Sequence, residues 1–149
     1  MNDFDFFIGS WTVTNRRLTK PLTGSDDWTV FPGTSTCWSL FEGGGNVDEI
    51  AFPTLGFRGC TLRLFDVERA EWSLYWASSR TGVLQPPVVG RFEGGRGDFH
   101  GDDTHDGAPI KVHYAWTGVE TATPRWEQEF SADGGRTWEA NWVMEFARA

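Results

Sequence analysis

The chain has 149 residues, with 21 Asp and Glu against 13 Lys and Arg, for a formal charge of −8 at pH 7. Such a field repels phosphate backbones and anionic headgroups, so neither nucleic acid nor a membrane is an expected partner. A single domain spanning 1–149 can bury roughly 70% of its unfolded surface without disulfide or metal staples, and the acidic start Met1-Asn2-Asp3, with no long apolar stretch behind it, predicts a cytoplasmic protein.

In chain order, Phe4, Phe7 and Ile8 stand at i, i+3 and i+4 and predict one helical turn that plugs the end of a barrel. The turn leads into Gly9-Ser10-Trp11. Period-two alternation then predicts strands at 9–19, 27–41, 46–53, 57–67, 70–79, 88–94, 97–103, 109–118, 124–132 and 137–147. Turn chemistry separates them at Thr23-Gly24-Ser25-Asp26, Gly43-Gly44-Gly45, Asp66-Val67-Glu68-Arg69, Gln85-Pro86-Pro87, Gly94-Gly95 and Asp133-Gly134-Gly135. With no long helix, no linker and no long-period repeat, the reading is all-β: a closed antiparallel up-and-down barrel of about ten strands.

Parity assigns the faces, because adjacent strand residues point to opposite sides. Trp11, Val13, Asn15 and Arg17 share one side. Trp72, Leu74 and Trp76 form an apolar row, while Tyr75 and Ala77 leave the other side of that strand apolar too, as cover by a partner subunit would require. Ile110, Val112, Tyr114 and Trp116 are expected inside, opposite Lys111 and His113. Trp126, Gln128 and Phe130 oppose Arg125, Glu127 and Glu129, and Trp138, Ala140, Trp142, Met144 and Phe146 oppose Glu139, Asn141 and Glu145.

Few segments suggest chemistry. Cys37 and Cys60 lie on separate strands and read as free thiols. Ser131-Ala132-Asp133-Gly134-Gly135-Arg136-Thr137-Trp138 matches the S-x-D-x-G-x-T-W pattern of an Asp-box, but one box in this length cannot make a β-propeller, so it reads as a hairpin turn with Trp138 packed back over it. The residues most like metal ligands are His100, Asp102 and His105, in the acidic hairpin 98–106; their spacing fits no metal motif, and acidic turns are more often merely solvated. Neither a metal nor a cofactor is expected. Gly43-Gly44-Gly45 lacks the Lys and following helix of a phosphate loop. It leads into Asn46, Asp48 and Glu49, and whichever of these face inward bring an amide or carboxylate into the barrel. Burial there would raise a carboxylate's pKa and suit it to acid–base work, making Asp48 and Glu49 the candidate catalytic residues.

The opening Asp3-Phe4-Asp5-Phe6-Phe7-Ile8-Gly9-Ser10-Trp11, the Gly45-Asn46-Val47-Asp48-Glu49 segment, Arg125-Trp126-Glu127 and the ending Asn141-Trp142-Val143-Met144-Glu145-Phe146 resemble a bacterial family of uncharacterised lipocalin-like proteins, end to end. The resemblance implies a calycin barrel like those of lipocalins and fatty-acid-binding proteins, and no particular activity. Two functions of related barrels find no counterpart. Haem-binding nitrobindins imply a proximal His late in the chain, and none follows His113. The Arg-x-Tyr carboxylate clamp of fatty-acid-binding proteins is missing, since Arg125 is followed by Trp126 and Glu127.

These readings converge on a barrel that holds an apolar or aromatic small molecule between Trp11, Trp76, Tyr114, Trp126 and Trp142, oriented by Arg17, Asn46, Glu49 and Gln128. A filled aromatic core satisfies the same composition. An isomerase or cyclase using Asp48 or Glu49 and a homodimeric module with exposed aromatics such as Tyr75 or Trp28 are the alternatives.

Overall fold

The computed structural model describes residues 1–149. Ten strands follow one another: β1 (Gly9–Leu18), β2 (Trp28–Leu40), β3 (Gly45–Phe52), β4 (Phe57–Asp66), β5 (Glu71–Ser78), β6 (Val88–Glu93), β7 (Arg96–His105), β8 (Ala108–Thr117), β9 (Arg125–Ser131) and β10 (Glu139–Arg148). Each pairs antiparallel with its sequence neighbours, and β10 returns to β1, so the sheet closes on itself and leaves no free edge. The strand boundaries expected from alternation hold to within about two residues throughout. No helix is long and apolar enough to cross a membrane.

The N-terminal turn is a 3₁₀ turn, Asp5–Phe7, and it seats Phe4 and Phe7 in the end of the barrel where β1 begins. Phe4 meets Trp72, Phe92, Phe99 and Trp116; Phe7 stacks on Trp11 and packs edge-on against Phe146. Polar groups pin the plug as well. Trp72 Nε1 donates to Asp3 at 2.9 Å, Trp11 Nε1 donates to the Phe7 carbonyl at 2.9 Å, and Arg148 reaches back to the carbonyls of Ile8 and Phe6 at 2.6 and 2.9 Å. One end of the barrel is therefore shut by interlocking aromatic rings.

Inward parity matches expectation on β1, β5, β8 and β9 but changes along β10. A bulge between Ala140 and Trp142 shifts the register against β9 by one residue. A one-residue shift exchanges faces. Trp142, Met144 and Phe146 point inward as expected, but Trp138 lies on the outer surface against His100 and His113, and Asn141, expected outside, is buried and accepts a hydrogen bond from Gln128. Tyr75 and Trp28, read as exposed, are half-buried. Cys37 faces inward and Cys60 outward, both as free thiols; burial pushes the Cys37 thiol up to about 12.

Close approach of the backbone explains one glycine directly. A Cβ at Gly90 would stand 1.8 Å from the Asp98 carbonyl across the β6–β7 pair.

The Asp-box is the β9–β10 hairpin. Asp133 accepts from the Arg136 and Thr137 N–H groups at 3.0 and 2.9 Å and from the Ser131 hydroxyl at 2.7 Å, while Trp138 Nε1 donates to the Gly135 carbonyl at 3.1 Å. The Thr137 hydroxyl and N–H, followed by Ser131, pull the Asp133 carboxyl down from its ordinary 3.8 to about 2. A depressed carboxylate contributes stability that is present above the unfolded-state value and lost as pH falls through the folded one. Asp133→Asn is therefore expected to lower the melting temperature at neutral pH and to flatten its pH dependence between about 4 and about 2. Identical acid limbs for the two proteins in a thermal-melt series would show that the carboxylate does not hold the hairpin.

Candidate functional site

Beneath the plug lies a polar layer that alternation alone does not announce. On β4, Phe57, Gly59, Thr61 and Arg63 take the inner face, and across the β3–β4 pair Asn46 and Asp48 face them. Arg63 and Asp48 form a buried ion pair with Nη2 to Oδ2 at 2.7 Å, and Arg63 Nη1 donates to Asn46 Oδ1 at 2.8 Å. The guanidinium sits within 5.2 Å of the Phe4 and Phe7 ring centres, so the plug rests on a cation. Burial pushes the Asp48 carboxyl up, against the pull of Arg63 and a hydrogen bond from Thr61.

Past this layer the interior opens into a cavity of about 280 Å³. Trp76, Tyr114, Trp126, Trp142 and Phe130 form its aromatic walls, Leu74, Val88 and Val112 its aliphatic ones, and Arg17, Ser35, Thr61 and Gln128 supply polar groups. Gly59 is what lets Trp76 lie where it does, since a Cβ there would stand 1.9 Å from the indole Cη2. Trp142 is held by its Nε1, which donates to Asn15 Oδ1 at 3.0 Å, and packs edge-on against Trp126. Burial raises the Tyr114 phenol to about 12, keeping its hydroxyl protonated and able to donate. Hydrogen-bonding capacity is left over in these walls: Ser35 Oγ, Arg63 Nε and Trp116 Nε1 are buried without a protein partner.

The end opposite the plug is a mouth of about 460 Å³ lined by Leu18, Thr19, Pro21, Leu55, Arg80, His105 and Asn141. It shares Arg17, Gln128 and Phe130 with the cavity, so these three side chains border both spaces.

The structure thus gathers Arg17, Trp76, Tyr114, Trp126, Gln128 and Trp142 around one space, together with Asp48. Three expected ligand contacts fall elsewhere. Trp11 is spent on the plug, stacked against Phe7. Asn46 is buried behind Arg63, to which it is an acceptor. Glu49 has the parity opposite to Asp48: it lies exposed on the outer wall, paired with Arg58 at 3.1 Å, and serves neither as ligand contact nor as an interior acid. The metal candidates do not converge either. His100 and Asp102 face outward, Asp102 against Lys111, whereas His105 turns inward beside Phe130 at the mouth, and no group of three or more His, Cys, Asp or Glu side chains is arranged to hold an ion.

His113, expected outside, is outside but buried. Its ring nitrogens stand 2.7 Å from Glu129 and 2.8 Å from Asp98, its face stacks on His100, and Trp138 packs edge-on against both rings. This network ties β7, β8 and β9 together across the outer wall.

A closed ten-strand meander, plugged at one end and open at the other to an aromatic-walled interior, defines a calycin-type barrel, the architecture of lipocalins and fatty-acid-binding proteins. No protein-family model matches the chain, and neither does any curated protein.

Arg63 and Arg80 were the residues alternation missed. The inner face of β4 is the less apolar one, because Cys60, Leu62 and Leu64 point outward. The available signal was Asp48, an acid forced inward by its strand parity and in need of a cation. Removing one partner of a buried pair leaves an uncompensated charge, so Asp48→Ala is expected to destabilise the fold by about 3–5 kcal/mol, while Asp48→Leu combined with Arg63→Met loses much less. Urea unfolding of Asp48→Leu, Arg63→Met and the double variant measures this; a double-variant loss equal to the sum of the two single losses would mean that the pair carries no coupling.

Proposed function

We propose that this protein binds a small apolar or aromatic molecule inside its barrel. The observation that carries the reading is the cavity itself: after a plug, a buried ion pair and a dense aromatic wall, about 280 Å³ of interior remains unfilled. That is close to the small end of ligand-pocket volumes. The rings of Trp76, Tyr114, Trp126 and Trp142 supply flat apolar faces, and the Tyr114 hydroxyl, Gln128 and Arg17 supply a few directional polar contacts. The resemblance to bacterial lipocalin-like proteins, carried by the D-F-D-F opening and the N-W-x-M-E-F ending, supports the barrel and implies no particular activity.

Binding is favoured over carboxylate-driven catalysis. Glu49 is on the outside, and Asp48 is held by Arg63 and Thr61 rather than free to exchange a proton with a substrate.

The uncharged probe N-phenyl-1-naphthylamine tests the reading by its own fluorescence and by quenching of the interior tryptophans. Saturable, one-to-one binding is expected. Val112→Phe, which pushes a ring into the cavity from β8, is expected to weaken it at least about tenfold while leaving the fold's circular dichroism intact. Failure of the probe to bind, or binding unaffected by Val112→Phe and by a second filling variant, Leu74→Phe, would remove the interior site.

A further inference from the structure

The mouth has a chemistry that the apolar cavity does not explain. Arg17 projects from the end of β1 with its guanidinium 4.1 Å from the centre of the Trp142 ring, half-buried, with neither a carboxylate nor a carbonyl of the protein as hydrogen-bond partner. Arg80, on the β5–β6 loop, lines the same mouth; it rests 4.1 Å over Phe57 and spends one N–H on the Leu55 carbonyl at 2.9 Å. Neither has an acidic partner, although acidic residues outnumber Lys and Arg in this chain. Of the two acids near the cavity rim, Asp102 pairs with Lys111 on the outer face, and Asp103 accepts the Thr104 N–H and forms no ion pair with either arginine.

Two like charges turned toward one concave space repel each other, and burial together with Arg80 pulls the Arg17 pKa below its ordinary value. A fold with abundant carboxylates that leaves such a pair uncompensated has left room for an anion from outside. Seated over Trp142, Arg17 keeps its whole N–H fork open, and Arg80 over Phe57 keeps the N–H groups not given to Leu55, donors suited to an oxyanion. His105 and Asn141 complete the rim, the latter with an unpartnered buried Nδ2.

We infer that the molecule bound in the barrel is an organic anion whose carboxylate, sulfonate or phosphate docks at the mouth against Arg17 and Arg80, with its apolar or aromatic body in the cavity below. This rests on the interior site proposed above and adds the charge and orientation of its occupant: body inward, head at the rim.

A matched pair of probes separates the two ideas. 1-Anilinonaphthalene-8-sulfonate and N-phenyl-1-naphthylamine share one aromatic body and differ by the sulfonate. The sulfonate probe is expected to bind at least about tenfold more tightly, the factor that one charge-assisted hydrogen bond supplies. Added salt should weaken it selectively. In Arg17→Met combined with Arg80→Met the ratio of the two probes' affinities should fall to about one. Equal binding of both probes by the unmodified protein, or a sulfonate preference that survives the double substitution, overturns the inference and leaves the interior site standing. If neither probe binds, the interior site fails and the anion site fails with it. Arg17→Lys with Arg80→Lys guards against loss of folding: retained charge should preserve part of the sulfonate preference, and a preference abolished while the fold is intact and the neutral probe still binds would support the bidentate fork over bare charge.

Discussion

Closing ten strands into one sheet encloses more space than the side chains of a smaller barrel would leave, and how that space is closed decides everything else about this fold. The solution is asymmetric. One end takes Phe4 and Phe7 on a 3₁₀ turn, locked among Trp11, Trp72, Phe92, Phe99, Trp116 and Phe146. The Arg63–Asp48 pair lies beneath those rings and gives the plug a cation to rest on. An ion pair in that position is a weak source of net stability, because desolvation offsets most of its attraction. Its effect is positional: it fixes the depth to which aromatic packing fills the barrel, and the unfilled volume begins where the pair ends.

Most of this was legible in the chain, for a physical reason. Hairpin-linked strands with one buried face must alternate, and turn residues must break them, so ten strands, and the inner faces of β1, β5, β8 and β9, could be read from pattern alone. The plug was legible too, since Phe4, Phe7 and Ile8 have helical spacing ahead of a strand-period run. Reading failed where parity was interrupted or where polarity ran against it. The β10 bulge turned Trp138 outward and Asn141 inward, and no composition signal marks a bulge between Ala140 and Trp142. On β4 the outward Leu62 joins Trp38, Val47 and Tyr75 in a row across β2 to β5, so the more apolar face of that strand is not the core face. Arg63 was hidden for that reason, and Arg80 because a loop has no parity to read.

The outer wall solves a separate problem. Barrel strands β7, β8 and β9 carry Asp98, His113 and Glu129 on their outward faces, where unpaired charges would otherwise lie side by side; His113 between the two carboxylates converts repulsion into cross-strand bonding. Trp138, displaced outward by the bulge and anchored by the Asp-box, then packs edge-on against the imidazoles. The feature that reads like a glycosidase signature is a structural clamp on the outside, and the aromatic-walled cavity lies on the opposite side of the same strands.

Trp142 joins the two halves of the interior. Its indole N–H is fixed by Asn15, one ring edge packs with Phe52 and Trp126, and its face carries the Arg17 guanidinium. The ring is therefore both cavity wall and the platform that orients a mouth cation. Any occupant large enough to press on Trp142 from below would bear on the same ring that positions Arg17 above, so in the proposed complex apolar fit and charge recognition would both act through one side chain. That coupling follows from β10 register: only with the bulge upstream does Trp142 fall opposite Gln128 and Arg17 at the level where the cavity meets the mouth. The irregularity that obscured β10 in the sequence is the feature that assembles the site.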